Sequence, residues 1–156
     1  MRTSPEKRFD EAVLREFRME DFAGLYVAGA YEPVARSLKE EGWPIRIGVT
    51  KSLEDTLTPA MDGGSPYWRQ GLLFRVWARG WENVRSLEDW VKADLLAGKE
   101  ARKSYYCMGV SFSPHLFEQQ IHRLAARRNL PVWDDALLMA DLLRAVKHRM
   151  EKRARV

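Results

Sequence analysis

The stretch Phe22-Ala23-Gly24-Leu25-Tyr26-Val27-Ala28-Gly29-Ala30 reads as one strand, and the fold follows from it. It is nearly all apolar with glycine toward each end, the pattern of a strand covered on both faces. Downstream, Trp43-Pro44-Ile45-Arg46-Ile47-Gly48-Val49-Thr50 predicts a second strand. There Ile45, Ile47 and Val49 point one way while Arg46 and Gly48 point the other. Gly71 to Ala78 predicts a third, with Leu73, Arg75 and Trp77 alternating against Leu72, Phe74 and Val76.

Helical patterns separate and follow these strands. Asp10 to Met19 carries a sparse apolar side at Ala12, Val13 and Phe17. Pro33 to Glu41 has proline in the first turn and Gly42 at the exit. Ser52 suits the N-cap of a helix to about Ala60, and Asp62-Gly63-Gly64-Ser65-Pro66 is a turn. Asn83 to Ala97 repeats apolar residues at Val84, Leu87, Val91 and Leu95, and Gly98 ends it. Ser113-Pro114 opens a helix with Phe117, Ile121 and Leu124 behind it. After Pro131, Asp134 caps a last helix while Trp133 staples onto Leu138. Met139, Leu142, Leu143, Val146 and Met150 form a stripe on that helix, suited to the core or to pairing with another helix.

This order leaves parallel and antiparallel pairing open, although the short connection between the first two strands disfavours a parallel crossover. The expectation is an α+β protein. It has a small three-stranded, mainly antiparallel sheet flanked by helices, with a C-terminal helical extension. The divisions expected are an N-terminal extension (1–20), a central domain (21–100) and a helical extension (101–156) on the same core.

Composition narrows the class. The 156 residues are 46% apolar and include six Trp, enough for a proper core. No apolar run is long enough to span a membrane, and the N-terminus is too charged for a signal peptide. The lone cysteine, Cys107, makes no intrachain disulfide, which suits a cytoplasmic protein. Charge is uneven: residues 1–120 hold 17 Lys/Arg against 18 Asp/Glu, and residues 121–156 hold 9 against 4. A basic tail suits either phosphate contact or a solvated helix end. His115, His122 and His148 have no metal-ligand spacing with Cys107. Phosphate-cradling glycine loops and a nucleophile elbow are both absent from the sequence.

Two phrases carry a resemblance: Gly24-Leu25-Tyr26-Val27 and Arg46-Ile47-Gly48-Val49-Thr50-Lys51. With the third strand and the helix bearing Leu87-Glu88, they resemble the paired strands of the GIY-YIG nuclease superfamily, phage and bacterial branch. The resemblance spans about half the chain. It implies hydrolysis of a phosphodiester with one divalent cation, Mg or Mn. Tyr26 matches the tyrosine that helps activate water, and Glu88 the metal-holding glutamate. Arg46 stands where the second-motif tyrosine would be, a position often basic in this branch. The family's arginine is missing near Thr56, and Glu54 and Asp55 put negative charge there. Lys51, Arg69, Arg75 and Arg79 are candidate nucleic-acid contacts, Arg69 beside Tyr67-Trp68.

These readings imply a nucleic-acid-binding protein, with DNA the expected partner, whose endonuclease activity is weakened or lost. The alternative is a non-catalytic protein-interaction module on a degenerate nuclease scaffold, with a protein partner or a second copy of the chain.

Overall fold

Four antiparallel strands form one sheet in the computed structural model, which describes residues 18–30, 42–51, 70–99, 105–109 and 111–154. A 3-10 turn, Met19–Asp21, leads into β1, Phe22–Ala30. Then come β2, Trp43–Thr50, and β3, Gln70–Arg79. Helix α1, Trp81–Trp90, runs on into a π-helical turn, Val91–Leu95. A short strand, β4 (Tyr106–Met108), precedes α2, Pro114–Arg127, and α3, Asp135–Ala154. The strand order is β3-β1-β2-β4. The fold is therefore α+β, with one strand more than the pattern predicts. Three residues with no clear alternation left β4 unreadable.

The central position of β1 explains its apolar run. Leu25 and Val27 are buried on one side, in the cluster that also holds Ile45, Phe74 and Val76. Helices α1 and α2 cover this side through Val84 and Leu87, and through Phe117, Ile121 and Leu124. Phe22 belongs to a second cluster with Trp77, Trp133, Leu138 and Ala145, where α3 packs. A register shift at Val27/Ala28 leaves Leu73 without a partner on β1. Expected beside Arg75 and Trp77, Leu73 instead packs against the cluster of Phe74 and Val76, because a bulge resets the alternation.

Helix ends follow their cap residues. Ser113 Oγ accepts from the Leu116 amide at 3.4 Å, and Asp134 Oδ1 from the Leu137 amide at 2.7 Å. The π-helical turn, closed by Leu96 N–H donating to the Val91 carbonyl at 3.1 Å, swings Leu96 into the core beside Val91. In a regular helix a residue five positions on would point away, and this is why Leu95, expected in the core, is only half-buried.

Of the two roles suited to the α3 stripe, the core is not the one it takes, apart from half-buried Leu142. Leu138, Asp141 and Ala145 are the buried residues, while Met139, Leu143, Val146 and Met150 face outward. The orientation is set by Trp133, whose indole donates to Asp141 Oδ2 at 2.9 Å and pulls that face inward. Most of Asp10 to Met19, the helices expected at 33–41 and 52–60, and the turn at 62–66 lie outside the described residues. So do Glu54, Asp55, Thr56, Tyr67, Trp68 and Arg69.

Candidate functional site

The two motif glycines each make room for an aromatic ring from the neighbouring strand. Gly24 is paired with Trp77, and a β-carbon at Gly24 would lie 3.0 Å from the Trp77 ring. Tyr26 is paired with Gly48, and a β-carbon at Gly48 would collide with the Tyr26 hydroxyl. The glycines therefore act through the side chain they lack, rather than through a close approach of backbone.

Tyr26 sits among charges. Its neighbours across the two ladders are Gly48 on β2 and Arg75 on β3, with Arg46 diagonal to it beside Ala28. Burial pushes the Tyr26 phenol above its ordinary value. Arg46 pulls it down and Glu88 pushes it up again, so both charges act on this hydroxyl. Glu88 is itself buried on α1, and Lys92 Nζ lies 3.7 Å from its Oε1. Arg46 lies on the Tyr26 side of the sheet, whereas Glu88 comes from α1, which covers the Leu25 and Val27 side. β4 pairs only with Trp43, Pro44 and Ile45, so among the described residues no strand lies outside β2 from Arg46 onward.

The basic candidates divide between two roles. Arg75 donates from Nε to Asp135 Oδ1 at 3.0 Å and from its terminal nitrogen to Oδ2 at 2.7 Å. It also stacks 5.3 Å from the Trp77 ring, whose indole donates to Asp135 Oδ1 at 2.6 Å. Arg75 therefore fastens α3 to β3. Backbone bonds between Trp77 and Trp133, 2.7 and 2.8 Å, reinforce this seam at the outer edge of β3. Sequence reasoning missed Asp135; the alternation that brings Arg75 and Trp77 to one face was its only signal.

Lys51 and Arg79 meet elsewhere, in an open cleft of about 540 Å³ at the end of the sheet. Glu20, Asp21, Phe22, Ala23, Gly80 and Trp81 complete its lining. Lys51 Nζ lies 5.0 Å from the Trp81 ring, and the Arg79 guanidinium 5.9 Å from Phe22. Two cations beside an indole suit a phosphate and a stacked base, although Glu20 and Asp21 offset the charge. Lys51 is three positions beyond Gly48, so the cleft begins about 10 Å along the sheet from the Tyr26 row.

Glu88 is the one carboxylate the resemblance assigns to a metal. Among the described residues no three His, Cys, Asp or Glu side chains cluster as a metal site. One buried carboxylate, partly neutralised by Lys92, does not make the cage of a structural ion, and a Mg2+ held there would keep most of its ligands as water. No helix of the described residues is long and apolar enough to cross a membrane.

Compared with models of known families, with curated proteins and with solved structures, the chain matches none.

Proposed function

We propose that this chain is a GIY-YIG-like, cytoplasmic nucleic-acid-binding protein whose phosphodiester-cleaving activity is weakened or lost. What supports the reading is Arg46 diagonal to Tyr26 across the two paired motifs, with the charge of Glu88 on α1 also acting on the Tyr26 hydroxyl. The contact surface runs from that hydroxyl to the cleft of Lys51, Arg79 and Trp81, with DNA the expected partner.

The same chemistry explains the weakened activity. Burial holds the Tyr26 phenol further from ionisation than an ordinary tyrosine, which lowers the fraction in its base form at neutral pH. Arg46 is left to stabilise phosphoryl charge in place of the arginine wanted near Thr56. Glu88 would hold Mg or Mn, which when bound supplies Lewis-acid polarisation of the phosphoryl oxygens.

Binding and cleavage assays on DNA and RNA, with Mg or Mn, test this. Binding with slow or no cleavage is expected, and any cleavage is abolished by Glu88→Ala. Failure to bind either nucleic acid at low salt overturns the reading, in favour of the interaction module.

A further inference from the structure

Helix α3 has two apolar faces, and among the described residues only one of them is packed. Leu138 and Ala145 pack against Phe22, Trp77 and Trp133. On the outer side Ala136, Met139, Leu143, Val146 and Met150 are all exposed, the four large ones at 44%, 65%, 43% and 64%. Their spacing is 3-4-3-4, the a/d repeat of a coiled-coil seam, sustained over about 21 Å of helix at 1.5 Å per residue. Single exposed apolar residues are ordinary on protein surfaces. Five in heptad register over two turns of the repeat, on one side of a 20-residue helix, make a stripe suited to packing against another helix.

The charge pattern of α3 then selects which helix. Asp134 and nearby Glu118 stand at its start, where Asp135 is already paired with Arg75. Lys147, Arg149, Lys152 and Arg153 outnumber Glu151 in its second half, where Arg144 is paired with Asp141. Two copies laid parallel would stack these cations together. Laid antiparallel, the acidic start of each copy meets the basic end of the other, and the helix dipoles also oppose. The seam tolerates this arrangement, because Ala140 and Leu142 flank it where Lys147 and Arg149 of a second copy would approach. α3 is thus complementary to itself in the antiparallel sense only.

We propose that α3 is a homodimerisation element, packing antiparallel on α3 of a second copy about a two-fold axis. Leu143 then lies against Val146 of the second copy, and Met139 against Met150 of the second copy. The contact is independent of Tyr26, the cleft and any nucleic acid.

Sedimentation of the full chain without nucleic acid tests the association. A concentration-dependent doubling of mass is expected. Leu143→Glu should hold the chain monomeric, and its thermal unfolding should match that of the unsubstituted chain at concentrations where the latter is also monomeric, since Leu143 lies outside the packed core. A monomer at every concentration overturns the proposal, and so does a dimer indifferent to Leu143→Glu. Orientation is read by disulfide trapping in a Cys107→Ser background. Met139→Cys and Met150→Cys chains, told apart by mass, are mixed and oxidised. Mixed 139–150 disulfides are expected to dominate; homodisulfides of each variant overturn the antiparallel arrangement.

Discussion

The Tyr26 hydroxyl fills the space that a β-carbon at Gly48 would occupy, the two residues facing each other across the β1–β2 ladder. Substituting Gly48 therefore forces the tyrosine to move. Gly48→Ala is expected to lower stability by about 1–3 kcal/mol, the usual cost of overpacking. Gly24→Ala should cost less, because its clash with Trp77 is milder. Chemical denaturation of both variants checks the ranking, and equal or negligible losses contradict it.

Tyr26 also sets a pH dependence. Its pKa is raised in the folded chain above the ordinary 10.0, chiefly by burial. The stability this contributes is fully present below pH 10 and is lost as pH rises through the folded-state value. Tyr26→Phe should therefore flatten the alkaline fall in stability relative to the unsubstituted chain. Parallel alkaline profiles for the two proteins would contradict the assignment.

Glu118 behaves similarly in the acid range. Burial, then Asp134 and Asp135, raise its pKa, and His115 opposes them. Its folded-state penalty is absent below the ordinary value of 4.5 and present above it. Glu118→Gln should therefore raise the melting temperature at pH 7, and the gain should vanish near pH 4. A gain that persists at pH 4 would place its origin elsewhere.

Much of this was legible in the sequence because the signals were local. The apolar run of β1, the alternation of β2, and the caps Ser113 and Asp134 each depend on a few neighbouring residues. The arrangement of Tyr26 over Gly48 was half legible: the motif named both residues, but only pairing register shows that one covers the other. What stayed hidden depends on distant partners. Asp135 and Arg75 are 60 positions apart, and no pattern in α3 says which of its two apolar faces Trp133 will draw inward. A basic residue on a strand likewise does not reveal whether a carboxylate or a phosphate will claim it.

Arg75 is the case in point. Arg75→Ala is expected to destabilise the chain by about 2 kcal/mol, the scale of charge-assisted hydrogen bonds, and to loosen α3. Arg75→Lys should recover little, since an ammonium does not reproduce the two-pronged contact with Asp135. Oligonucleotide affinity, measured where both variants remain folded, should not change. A selective loss of affinity would return Arg75 to the contact surface.

The most direct test is the salt dependence of oligonucleotide binding by the unsubstituted chain and a Lys51→Ala/Arg79→Ala variant. Affinity should fall steeply with salt, and the variant's log–log slope should be shallower by about 1.4 on single strands to about 1.8 on duplex. Identical slopes, or no binding at low salt, would contradict the account.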